Sequence, residues 1–128
     1  MKIAHVALWT RHPEAQKQFW LGMFNAQSGE LYQSQNRPGF ASYFLRLEQG
    51  ATLELMTLPG LDDGQPGRDV TGWAHIAISV GNEKQVDKMA VRAAETGILV
   101  AAPRRTGDGF YEAIIRDPDG NLIELVAE

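Results

Sequence analysis

At 128 residues, 44% of them hydrophobic and 22% charged, the chain has one domain's length and the composition of an ordinary globular protein. A formal net charge of −4 with no basic run argues against nucleic acid or an anionic membrane as partner. No segment approaches the roughly 18 apolar residues of a membrane span.

Cysteine is absent, so a metal site here can use only His nitrogen and carboxylate oxygen. The chain enters a strand pattern at Met1–His5 without a charged-then-apolar leader, so the expected compartment is the cytoplasm.

In chain order, the first run, Lys2 to Trp9, alternates Ile3, His5, Ala7 and Trp9 against Ala4, Val6 and Leu8. Both sets are largely apolar, which predicts a strand covered on both faces and not a solvent edge. Pro13 is placed for the first turn of a helix, whose apolar stripe reads Ala15, Phe19 and Met23, widened by Trp20 and Phe24. His12, beside that proline, reads as surface or pocket rim. Strands are predicted at about 28–34, 40–48 and 51–57, with Arg37-Pro38-Gly39 and Gln49-Gly50 as turns. Residues 58–72 are rich in Gly, Pro and Asp and form a linker.

The order then repeats. A strand is predicted over 73–80, Gly81-Asn82 as a turn and cap, and a helix over 83–95 with Val86, Met89, Ala90 and Ala93 inward. Gly97 stops that helix. Strands follow at about 98–102, 110–116 and 122–127, the last two joined by the turn Asp117-Pro118-Asp119-Gly120-Asn121.

The two halves share more than their order. Ala4-His5-Val6-Ala7-Leu8 recurs 70 positions later as Ala74-His75-Ile76-Ala77-Ile78, and Leu53-Glu54-Leu55-Met56 recurs as Ile123-Glu124-Leu125-Val126. Gly39-Phe40, Arg46 and Gly50 map onto Gly109-Phe110, Arg116 and Gly120 without a gap. Two copies of a βαβββ unit, modules 1–57 and 73–128 joined by linker 58–72, make the expected fold α+β: one domain over 1–128 with a curved mixed sheet and helices outside.

The chemistry repeats with the frame. Period-2 parity puts Glu54 with Thr52 and Met56, opposite Leu53 and Leu55; it puts Glu124 with Leu122 and Val126, opposite Ile123 and Leu125. A carboxylate in so apolar a run is costly unless paired or bound to metal. A lone strand His is more often a hydrogen-bonded core residue, and a lone buried Glu is more often paired with an Arg such as Arg46 or Arg116. Recurrence of His5, Glu54, His75 and Glu124 in register shifts the balance to a metal site. Symmetry inherited from duplication without retained function is the competing reading. Two imidazoles and two carboxylates suit one divalent ion, Ni, Co or Zn with Fe or Mn as alternatives, and six-coordination leaves two positions open.

On these residues the chain resembles the vicinal oxygen chelate superfamily, the glyoxalase/bleomycin-resistance/dioxygenase group. The most specific piece is Arg116-Asp117-Pro118-Asp119-Gly120-Asn121-Leu122-Ile123-Glu124-Leu125. The resemblance implies paired βαβββ modules of the glyoxalase/dihydroxybiphenyl dioxygenase type around one divalent metal. The His, Glu, His, Glu order is that of glyoxalase I, a lactoylglutathione lyase. That order implies proton transfer between adjacent carbons of a 2-oxoaldehyde thiol adduct through an enediolate, with Glu54 or Glu124 as the catalytic base.

Many single-chain members pair the N-terminal module of one chain with the C-terminal module of another. A homodimer is therefore implied, His5 and Glu54 of one chain meeting His75 and Glu124 of the second. Trp20, Phe24, Trp73 and Phe110 supply aromatic surface in keeping with it. Glutathione-using relatives tend to carry an Arg four residues after the first His and an Asn four after the first Glu; here Trp9 and Leu58 stand there, an apolar wall. Arg11, Arg37, Arg104 and Arg105 could contact a carboxylate from loops, though solvated surface is their commoner reading. The alternatives are a ring-cleaving dioxygenase of the same superfamily and a non-catalytic small-molecule binding protein of the bleomycin-resistance type.

Overall fold

A computed structural model describes all residues, 1–128. The chain divides into two compact units at Asp63/Gly64, inside the linker read from the sequence. Unit 1 carries β1 (His5–Trp9), α1 (Pro13–Phe24), β2 (Gln27–Ser28), β3 (Tyr32–Gln33), β4 (Ala41–Arg46) and β5 (Thr52–Thr57). Unit 2 carries β6 (His75–Gly81), α2 (Glu83–Glu95), β7 (Leu99–Arg105), β8 (Tyr111–Arg116) and β9 (Leu122–Ala127). Each unit forms its own mixed sheet, ordered β1-β5-β4-β2 with β3 also on β4 in the first, and β6-β9-β8-β7 in the second. No helix is long and apolar enough to cross a membrane.

The internal repeat survives as geometry. β1 lies parallel to β5 with His5 opposite Thr52 and Ala7 opposite Glu54, and β6 lies parallel to β9 with His75 opposite Leu122 and Ala77 opposite Glu124. In unit 1, Tyr43, Leu45, Leu53 and Leu55 are buried on the α1 face, where the Tyr43 hydroxyl donates to Glu14. In unit 2, Ala113, Ile115, Ile123 and Leu125 are buried with Val86, Met89, Ala90 and Ala93 of α2. One face of each sheet is therefore roofed by a helix, and the other carries the candidate residues.

α2 matches its expected bounds and inward face. The Asn82 side chain caps it by accepting from the Gln85 N–H. At the far end the Ile98 and Gly97 amides donate to Ala93 and Ala94, with Gly97 in the left-handed region at φ +74°. That double bond closes the last turn, and only glycine adopts its geometry without strain.

Several expectations for unit 1 are corrected. α1 buries Gln16 and Trp20, with Ala15 exposed, so its inward face is rotated from the Ala15–Phe19–Met23 stripe. Trp20, the bulkiest apolar group, goes inward, and its indole N–H needs an acceptor; the Gln16 side-chain oxygen one turn earlier supplies it at 3.2 Å. Trp20 is thus core, stacked on Phe24, whereas Trp73 and Phe110 are exposed. The segment 28–34 forms two short strands on β4 because Gly29 and Glu30 interrupt the run.

β1 is an edge strand with Val6 exposed, not a strand covered on both faces. Its parallel pairing with β5 uses one side of its backbone and leaves the other without a neighbour strand. Finally, β7 runs to Arg105, so Arg104 and Arg105 are strand residues and not loop residues.

Candidate functional site: two matched His–Glu pairs

The face of the unit 1 sheet away from α1 reads as rows across the strands. His5 lies in the row of Thr52, Glu54 in that of Ala7 and Phe44, and Trp9 in that of Met56, Ser42 and Tyr32. His5 and Glu54 are diagonal neighbours, and the methyl of Ala7 leaves the carboxylate room to lean toward the imidazole. His5 Nε2 and Glu54 Oε2 stand 3.8 Å apart; the Glu54 side chain is largely buried and the His5 ring is half exposed. Phe44 meets the His5 ring edge-on at 5.9 Å between centroids.

Unit 2 repeats the construction. Ala77 lies opposite Glu124, and His75 Nε2 stands 3.2 Å from Glu124 Oε2. Burial among apolar strand neighbours pushes the Glu124 carboxyl above the usual carboxylate range. The charge of Glu112 pushes the same way, while His75 and Arg104 oppose both.

All four expected residues therefore sit where parity placed them, in two pairs, each carboxylate facing an imidazole and neither engaged by Arg46 or Arg116. The structure contains no group of three or more His, Asp or Glu side chains arranged to hold a metal. His12 is exposed at the start of α1 and caps nothing with its side chain, as surface or rim.

A nitrogen facing a carboxylate oxygen, largely shielded from water on the carboxylate side, is a donor pair of the kind a borderline divalent ion takes. The donor chemistry of both pairs fits such an ion.

Three residues of this face went unread in the sequence. Phe44 beside His5 was accessible through the parity of β4. Tyr32 was hidden by the broken strand. Ser42 is fully buried with no hydrogen-bond partner for its hydroxyl. Arg37 was legible as one of four arginines able to contact a carboxylate, but its loop has no period to place it beside Trp9.

The sequence model of the glyoxalase/bleomycin resistance protein/dioxygenase superfamily matches residues 2–125. The chain belongs to that superfamily. No curated protein sequence matches it. Among solved structures, a glyoxylase/bleomycin resistance protein/dioxygenase domain from Frankia superposes with a TM-score of 0.84 at 16% identity, covering 99% of this chain and 91% of that one. A trypanothione-dependent glyoxalase I from Leishmania major gives 0.75 at 19% identity, covering 100% and 87%. A lactoylglutathione lyase from Agrobacterium tumefaciens gives 0.68 at 21% identity, covering 98% and 92%. At these identities the likeness establishes the fold, the paired βαβββ arrangement of the superfamily, and the function has to be argued from the residues.

Proposed function

We propose that this superfamily member is a divalent-metal-dependent lyase/isomerase of the glyoxalase I type. Its reaction would move a proton between adjacent carbons of a 2-oxoaldehyde thiol adduct, or a related vicinal-oxygen compound, to give a 2-hydroxy thioester or its analogue. The observation that carries this reading is the matched pair: His5–Glu54 and His75–Glu124 occupy identical register positions in two sheets that otherwise differ in sequence.

His5, Glu54, His75 and Glu124 would hold one ion, Ni, Co or Zn with Fe or Mn as alternatives. Bound there, the ion supplies Lewis acidity that makes a C–H beside a carbonyl easier to ionise. A glutamate takes the proton from one carbon and returns it to the next. Glu124 suits that work, since burial already favours its protonated form and brings its affinity for a proton nearer neutral pH. Ala7 and Ala77 keep the space beside each carboxylate clear for such movement.

In keeping with the pairing of modules between chains that its resemblance to the superfamily implies, we further propose a homodimer in which His5 and Glu54 of one chain act with His75 and Glu124 of a second.

The test is a panel of methylglyoxal adducts with several thiols, assayed with metal-free protein and after restoring Ni²⁺, Co²⁺, Zn²⁺ or Mn²⁺. Turnover that depends on metal and disappears in Glu54→Gln and Glu124→Gln supports the reading. Oxygen uptake on a catechol with Fe²⁺, in place of isomerisation, assigns the chain to ring cleavage. Ligand affinity without turnover under any metal assigns it to binding.

A further inference from the structure

We propose that Trp9, Phe40, Tyr32 and Arg37 form a subsite for a flat apolar arm ending in a carboxylate, carried by the substrate that reacts at the His5–Glu54 pair. The assignment of the reacting end rests on the function proposed above; the subsite itself stands on unit 1 alone.

The sequence offers four arginines for carboxylate contact, Arg11, Arg37, Arg104 and Arg105, and the structure separates them. Arg11 pairs with Asp63 and the Leu61 carbonyl, Arg104 with Glu112 at 3.2 Å, and Arg105 with Glu83. The Arg37 guanidinium bonds to no carboxylate or carbonyl. It lies over the Trp9 ring at 5.7 Å and the Phe40 ring at 5.9 Å. These cation–π contacts hold the guanidinium beside the two rings without using its N–H groups, which suit bidentate capture of a carboxylate.

Beneath it the aromatics form a platform. Trp9 meets Phe40 edge-on at 6.0 Å, and Tyr32 meets Phe40 at 6.4 Å. Trp9 and Tyr32 are about half exposed, so the apolar surface is open to a ligand. Ser42, in the same row as Trp9 and Tyr32, brings a buried hydroxyl with no protein partner to the floor of this platform.

The loop that carries Arg37 is closed by its own hydrogen bonds. Ser34 and Phe40 close the loop between them, the Ser34 amide donating to the Phe40 carbonyl at 3.0 Å. The Ser34 hydroxyl accepts from the Arg37 amide, and the Phe40 amide donates to the Arg37 carbonyl. Gly39 sits at φ +82° with no space for a side chain, since a Cβ there would lie 2.5 Å from Pro59 Cγ. The loop thus packs against Pro59, and its hydrogen bonds place the Arg37 backbone beside the aromatic rings.

The row of Trp9 is two residues from the row of Glu54 along β1 and β5, about 7 Å. An aromatic ring on a tether of two or three atoms spans that gap. Unit 2 offers no counterpart, because the equivalent row, Ser79, Val126, Glu112 and Arg104, is occupied by its own ion pair.

The test is calorimetric titration of the metal-free, full-length chain with 3-phenylpropanoate, its carboxamide, and hexanoate. The expected result is that the acid binds about tenfold more tightly than the amide, the factor a charged hydrogen-bonded pair supplies. Arg37→Ala and Arg37→Gln should remove that preference with the thermal midpoint unchanged. Trp9→Leu should weaken phenylpropanoate more than hexanoate. Equal binding of acid and amide, unaltered acid binding in Arg37→Ala, or no binding of the acid would each overturn the subsite. Because no metal is present, these results are independent of the proposed reaction. Turnover of a thiol adduct that is indifferent to Arg37→Ala would remove the subsite and keep the reaction.

Discussion

The two units carry the same His–Glu pair on the same register and differ in the row beside it. In unit 1 that row is Trp9, Met56, Ser42 and Tyr32, with the Arg37 guanidinium in cation–π contact with Trp9 and bonded to no anion. In unit 2 it is Ser79, Val126, Glu112 and Arg104, closed by a salt bridge whose Glu112 end is buried. Duplication kept the His–Glu geometry twice and let one neighbouring surface open while the other sealed. The helices diverge too. α2 has a side-chain cap and a regular apolar stripe, whereas α1 starts on Pro13 with no side-chain cap and is organised by Trp20 with Gln16.

The comparison breaks first at the His–Glu pairs, which the proposed function makes the metal ligands. Alanine at any of His5, Glu54, His75 or Glu124 should lower metal content sharply and reduce turnover by at least about a hundredfold, the scale seen when a group acting in the transition state is removed. Metal analysis and steady-state kinetics check this. An unequal outcome, with one pair dispensable, would mean the symmetry is inherited and not used.

The cores should respond equally. Leu55 and Leu125 are both fully buried, 70 positions apart, and Leu→Ala at either should cost about 2–5 kcal/mol in denaturant unfolding. A marked difference would show that one unit supports the other's folding.

The open and sealed rows should not respond equally. Arg104→Ala leaves the buried Glu112 carboxylate without its cation and should destabilise the chain by about 1 kcal/mol or more, a figure held down because the arginine end is partly exposed. Arg37→Ala should stay within about 0.5 kcal/mol of the parent. Equal losses would contradict the view that one cation serves structure and the other serves ligand.

Capping gives a smaller contrast. Asn82→Ala should cost about 1 kcal/mol and His12→Ala distinctly less, since only Asn82 accepts from its helix.

The smallest effect is a pH dependence. Burial raises the Glu124 carboxyl, so the folded chain holds that proton more firmly than the unfolded chain. Stability from this source is full below the unfolded value, about 4.3, and is lost as pH rises through the folded value. Metal-free Glu124→Gln should therefore be the more stable protein at neutral pH, the gap closing in acid. Thermal melts across pH 3 to 8 read it.

How much of this was legible depended on which periodicity carried the signal. Strand parity is a property of two neighbours, so Glu54 against Leu53 and Leu55 could be placed from sequence, and the 70-residue repeat added the His–Glu constellation. The α2 face was legible because its four inward residues are all apolar. The α1 face was not, because a glutamine, Gln16, is buried there to satisfy an indole N–H, and no apolar count anticipates that. The loop carrying Arg37 has no period, and Ser42 is distinguished only by lacking a partner, a property that three-dimensional packing alone reveals. The edge position of β1 could not be read either, since an apolar strand looks alike whether another strand of its own sheet flanks it or not.

The central claim is that both His–Glu pairs serve one metal. Its most direct test is the metal content of the chain purified without added metal, beside a refolded mixture of His5→Ala and His75→Ala chains. One divalent ion per parent chain is expected, and almost none in either variant alone. In the mixture, metal should reappear at one ion per mixed dimer, where one intact set of four ligands forms. A Glu124→Ala chain at full occupancy would contradict the claim, and a parent chain that holds its ion as a monomer would contradict the sharing of the site between chains.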